Sequence, residues 1–362
     1  MPATTLPLLF IGGYAPAGQP GLQACRFDPA TGALTAFASF SGILNPAFLV
    51  AHPNGRWLYC VSETSQAESG GHGAVWALRY AAAPGGGPFT IEPLNHQSSR
   101  GDAPCHLRLD GTGRWLIVTN YTSGSAAVYP VQTDGSLGEM ADFVQHHGHG
   151  PNAARQEGPH THSSVMTPDD RYAVIAELGL DQLLIYELNH TTGKLRLHGS
   201  APAEPGAGPR HMAFHPDGEH LYVANELNST IAVYTYDAAA GSLQPGQVLP
   251  TLPPGAPENT VADIHLDSAA RRVYVSNRGH NSLAAYDIDS GGQLTPAGFW
   301  PCGGNWPRNF ALAPGGRTML VANQYSNEVS VLPLDGPQGV IGGATGALAA
   351  PGPACIEFAP TL

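Results

Sequence analysis

The chain is poor in charge, and poorest in positive charge. Its 362 residues hold 16 Lys and Arg against 28 Asp and Glu, a formal net charge of −12. No run of like charge occurs anywhere. Nucleic acids and anionic lipid surfaces are held by clustered cations, so neither is expected as a partner. Long apolar runs are missing too: no stretch approaches the ~18 residues that a membrane span needs. The opening "MPATTLPLLFIGGY" lacks the basic start of a secretory signal. The five cysteines are odd in number, far apart and without CxxC spacing. They are expected as buried free thiols of a cytoplasmic protein.

What the chain has in quantity is glycine and proline, 45 and 33 residues, spread evenly over a sequence that is still 42% hydrophobic. That combination suits many short strands joined by tight turns. A repeat confirms the pattern. "FLVAHPNGRWLYCVSE", "HLRLDGTGRWLIVTNY", "SSVMTPDDRYAVIAEL", "HMAFHPDGEHLYVANE", "DIHLDSAARRVYVSNR" and "FALAPGGRTMLVANQ" each read strand, turn, strand, and recur every 47 to 58 residues. A third strand follows each, often closed by a Gly-x-Leu turn such as "TDGSLG" or "SGGQLT". Apolar alternation with β-branched and aromatic residues marks strands, not helices. The spacing is that of one four-stranded propeller blade. "ACIEFAP" at the C-terminal end is a first strand without a second, and "LLFIGGY" with "LQACRF" supplies the missing second and third. The expected fold is all-β: a single seven-bladed β-propeller domain over 1–362, its ring closed by one blade shared between the two termini. Closure leaves no free sheet edge.

First and second strands of a blade are antiparallel, so the start of one lies beside the end of the other. Residues at those points should gather at one mouth of the central channel. They include Glu63, Cys105, His106, Tyr121, His160, His162, Glu177, Arg210, His211, Glu226, Arg278, His280, Arg308, Asn323 and Gln324. A concave place where several elements converge is where a small ligand binds.

At these residues the sequence resembles the lactonase family of seven-bladed β-propellers. "ARQEGPHTH", "GAGPRHMAFHPDGEHLYVANE", "VSNRGHNSLAAY" and "WPRNFALAPGGRTMLVANQ" carry the likeness, which runs along essentially the whole chain. The family includes the bacterial propeller-type 6-phosphogluconolactonases and, more distantly, the 3-carboxy-cis,cis-muconate lactonizing enzymes. The resemblance implies cofactor-independent hydrolysis, or the reverse closure, of a lactone. It implies that His160, His162, Arg210, Glu226 and Arg278 form the active-site set. Glu177 is a departure, since the family more often shows Asp before the Leu-Gly pair.

The residue types fit that chemistry. Arginines from three blades meeting in an acidic protein are suited to an anion, because the guanidinium fork matches carboxylate or phosphate. Arg308 could instead brace Trp306 or Pro307. Glu226 could pair with Arg210 in the empty protein and still orient a histidine or a water. His160, His162 and Glu226 all remain candidates for the base. His106, Glu177, His211, His280, Arg308, Asn323 and Gln324 are expected to line the substrate. No metal is expected, because nearby arginines oppose a dication, and His146, His147 and His149 read as a solvated loop or part of a lid. The expected partner is an anionic or sugar-derived lactone, bound by a monomer or weak homo-oligomer. The alternatives are a muconate-type cycloisomerase and a binding scaffold without catalysis.

Overall fold

The computed structural model describes residues 6–16, 18–82, 88–335 and 339–360. Seven antiparallel sheets stand around a central channel, as the repeat requires. Their innermost strands are Leu49–Ala51, Pro104–Leu109, Thr161–Met166, Pro209–Phe214, Thr260–Leu266, Pro307–Leu312 and Pro353–Phe358. The last of these pairs antiparallel with Leu8–Gly13, Ile11 facing Ile356, so the two termini do share one blade.

Each second strand is buried along nearly its whole length, for example Tyr172–Glu177 and His220–Asn225. Both faces of a blade meet a neighbour, which explains near-continuous apolar runs where one-faced sheets would alternate. Between the third and fourth blades, Val174, Ile185, Val223 and Tyr234 pack in one cluster. Tyrosine hydroxyls then tie blade to blade: Tyr59 donates to Gly135 O, Tyr222 to Gly292 O and Tyr274 to Gly339 O, at 2.9–3.0 Å. Gly135 and Gly292 belong to the Gly-x-Leu turns and hold φ of 91° and 74°, in the left-handed region.

Two recurrent local features position the site. In four blades an asparagine stands last or next to last in the second strand and reaches across the hairpin to a hydroxyl on the third strand: Asn120 to Ser125, Asn225 to Thr230, Asn277 to Ser282 and Asn323 to Ser330. The innermost strand also begins with a bulge. Pairing skips from Pro104 to His106, Thr161 to Ser163, Pro209 to His211 and Pro307 to Asn309. The skipped residues are Cys105, His162, Arg210 and Arg308. A bulge re-aims a side chain out of the ladder, and here it does so at the same height in four blades.

Candidate active site

Glu226 is the hub of the mouth. It follows the second strand of the fourth blade, and its side chain is only 6% exposed. Oε2 accepts from Arg210 Nε at 2.9 Å and lies 2.8 Å from Arg278 Nη2; Oε1 accepts from Arg155 Nη2 at 2.6 Å. Burial alone would raise its pKa, but Arg278, Arg210 and Arg155 hold it well below the usual carboxylate range. Arg210 and Arg278 also donate to the backbone, to Ala262 O and Val261 O. Both guanidiniums are thus fixed before any substrate arrives.

A second acid faces the hub. Glu63 accepts from Tyr14 Oη at 2.8 Å, and Arg308 Nη2 lies 3.8 Å from its other oxygen. The Arg308 guanidinium sits 5.0 Å from the centre of the Tyr14 ring, while Arg278 lies 5.6 Å from that of Trp306. Arg308 therefore rests on Tyr14 instead of bracing its neighbour Trp306. Four arginines face two glutamates, so the mouth is cationic within an acidic molecule.

The two histidines of "PHTH" differ. His160 stacks on Tyr121, ring centroids 4.7 Å apart. Its Nδ1 lies 3.2 Å from Tyr121 O, a carbonyl that can only accept, and its Nε2 is 3.2 Å from Glu157. Both nitrogens are engaged. His162, raised by the bulge, is 4% exposed, and its Nδ1 lies 4.0 Å from the Cys105 thiol. Burial, then Arg210, His211, Arg308 and Arg278, push its pKa well below the ordinary histidine value. It is a neutral imidazole in a cationic pocket.

Below lies a floor across the channel. His211 packs against His162 and His106, centroids 5.2 and 5.5 Å away, and Phe48 packs on His106. His211 Nδ1 bonds Asp263 Oδ1 at 2.7 Å; Asn309, the Phe310 N–H and His265 take the other oxygen. Burial, then Arg210, lower His211 to about 4 despite that carboxylate. Beneath the floor the channel widens to about 830 Å³ and is lined by the turns of the opposite face, including Asp110, Pro168 and Pro216. The arginine cluster is not part of that cavity.

Four expectations need correction. Glu177 does not line the mouth: its carboxylate is fully buried and accepts from the His160 N–H, Thr161 Oγ1 and His146. It pins the backbone that presents His160 and His162. His146 is accordingly buried, not part of a solvated loop, whereas His147 and His149 are exposed. Asn323 spends its Nδ2 on the hairpin bond described above and on the carbonyls of Cys302 and Val321, and its buried Oδ1 lacks a partner among the described residues, as do those of the hairpin-closing Asn120 and Asn225. His280 bonds Ser282 within its own hairpin, and no hydrogen bond or ion pair joins it to the cluster among the described residues. Gln324 stays a candidate: its backbone bonds Trp306 O, and its buried Oε1 has no partner among the described residues. Arg155, Tyr14 and Trp306 were not singled out from the sequence. Arg155 lies within the histidine-rich stretch before "PHTH", where no strand pattern flags it.

Fold and mouth define a seven-bladed propeller with a cationic, histidine-bearing pocket at the bulged ends of its inner strands. A family model for the lactonase, 7-bladed beta-propeller, matches residues 8–358, and the chain belongs to that family. It is 33% identical to a 6-phosphogluconolactonase of Bacillus subtilis, over 96% of this chain and 97% of that one. It is 30% identical to a 6-phosphogluconolactonase of Formosa agariphila, over 90% and 92%. Its fold superposes on the periplasmic gluconolactonase of Pseudomonas aeruginosa with a TM-score of 0.91, at 29% identity and coverage of 98% and 99%.

Proposed function

We propose that the protein hydrolyses a sugar-acid lactone, with 6-phospho-D-glucono-1,5-lactone as the leading substrate. The observation that carries this reading is the neutral His162, whose ring meets only the Cys105 thiol at 4.0 Å as a hydrogen-bonding partner among the described residues, held among fixed arginines. A base must be unprotonated at working pH and free to meet water. Of the three candidates, Glu226 is neutralised by guanidiniums and His160 is bonded at both nitrogens.

In this mechanism His162 takes a proton from water as the water oxygen bonds to the lactone carbonyl carbon. The carbonyl π electrons move onto oxygen, and Arg210 and Arg278 stabilise that oxyanion. Collapse re-forms the carbonyl and breaks the ring C–O bond, and His162 returns its proton to the departing alkoxide. The acid formed then ionises. Glu226 holds the arginines in place without acting as the base. Charge balance favours metal-free chemistry, since four guanidiniums oppose a dication at this mouth. The five buried free thiols suit a reducing cytoplasm.

A panel of lactones with and without the 6-phosphate, run with and without chelator, tests the reading. Ring opening of the phosphorylated lactone, well above the buffer rate and unaffected by chelator, is expected. No acceleration with any lactone would sink the proposal.

A further inference from the structure

Arg155 stands apart from the other cations of the mouth. Its side chain is 38% exposed, against 2% for Arg210 and 6% for Arg278. It arrives on the segment linking the second and third blades and crosses to Glu226 in the fourth. The backbone beside it is pinned. Gln156, fully buried, donates through Nε2 to Leu178 O and Asp181 Oδ1 and accepts through Oε1 from Asn152 N. Farther back, His146 is locked to Glu177. The residue is therefore held over the mouth while its side chain remains open to solvent.

One nitrogen carries all its bonds. Nη2 reaches Glu226 Oε1 at 2.6 Å and Tyr121 Oη at 3.2 Å. Nε and Nη1 have no hydrogen-bond partner among the described residues. Arg210 and Arg278 are buried and each is tied both to Glu226 and to a backbone carbonyl, although Arg278 Nε has no partner among the described residues; they serve the reacting end. Of the four arginines of the mouth Arg155 is the most exposed to solvent, Arg308 following at 18%.

We propose that Arg155 is a specificity-determining residue: it binds the phosphate monoester at the far end of the substrate while staying tethered to Glu226. It would thereby select phosphorylated over neutral lactones. This rests on the lactonase reading above and goes beyond it by assigning charge selection to a residue outside the predicted set. A guanidinium that keeps one nitrogen on Glu226 can still offer the others to phosphate oxygens, which an ammonium on a flexible stem cannot do as well.

The test compares wild type, Arg155→Gln, Arg155→Lys and Arg196→Gln on 6-phospho-D-glucono-1,5-lactone and on D-glucono-1,5-lactone. Arg196 is 71% exposed on an outer strand and controls for loss of one charge. Arg155→Gln is expected to raise KM for the phosphorylated lactone about tenfold or more and for the neutral one less than about twofold. Arg155→Lys should fall between, and Arg196→Gln should match wild type. The Ki of inorganic phosphate, measured as a competitive inhibitor, should rise in parallel in Arg155→Gln, which gives the answer even if the neutral lactone is not turned over. Equal effects on both lactones with no change in phosphate inhibition would mean a structural strap and overturn the assignment. Wild type inactive on both lactones would instead overturn the lactonase reading itself, before any variant is made.

Discussion

At the scale of single residues, the mouth is a set of charges whose protonation is decided by neighbours. His162 illustrates it. Burial and then Arg210 disfavour its imidazolium, so the group stays neutral well below the ordinary histidine range. A base acts above its pKa, and activity falls as pH drops through that value. The acid limb of kcat/KM should therefore lie clearly below pH 6.5, the ordinary pKa of a histidine side chain. His162→Gln should lower kcat by about 10²–10⁴ with little change in thermal stability. An acid limb at or above pH 6.5, or an active Gln variant, would move the base elsewhere. This tuning was only half legible in the sequence. The types and blades of Arg210, Glu226 and Arg278 could be placed because each sits at a fixed offset in the repeat. Arg155 could not, since its segment has no period. His146 was misread for the same reason: Gly and Pro neighbours suggested solvent, but a buried carboxylate was waiting for it.

At the scale of elements, one local irregularity recurs. The bulge at the start of the inner strand turns Cys105, His162, Arg210 and Arg308 out of the ladder at equivalent heights. Strict alternation along a strand would put His160 and His162 on one face; the bulge separates their roles. The asparagines teach the opposite lesson. Their place at the end of the second strand looks like a position lining the mouth, but their side chains close the hairpin. Asn323→Ala removes the bonds to Ser330 and Cys302 inside a fully buried site. It should cost about 1–3 kcal/mol of stability and leave kcat/KM unchanged. Thermal unfolding and turnover measured on the same preparation decide the matter, and intact stability with impaired turnover would return Asn323 to the active site.

At the scale of the whole molecule, the ring depends on the strand that closes it. That strand was foreseeable because the terminal fragments are complementary and an open ring would expose edges; its electrostatics were not, because they depend on three other blades. Glu357 lies on Pro353–Phe358, pairs opposite Phe10, and accepts from the Ala51 N–H of the first blade at 2.9 Å. Burial raises it to about 7, despite the Ala51 bond and the nearby Arg108 and His265. The sign follows from linkage. A carboxyl whose folded pKa exceeds its unfolded value binds more protons when folded, so stability is greatest below the unfolded pKa and falls as pH rises through 7. Glu357→Gln keeps the acceptor for Ala51 and removes the titration. Its melting temperature relative to wild type should therefore be higher at pH 8.5 than at pH 5, the difference corresponding to about 1–3 kcal/mol. Taking the difference between the two proteins cancels the titration of every other group that behaves alike in both, and titrating His265, which interacts with Glu357, by its own pH-dependent signal in each protein checks that it does. A gap that stays constant with pH, or narrows, would show that Glu357 is already ionised in the folded ring and that closure is insensitive to its charge.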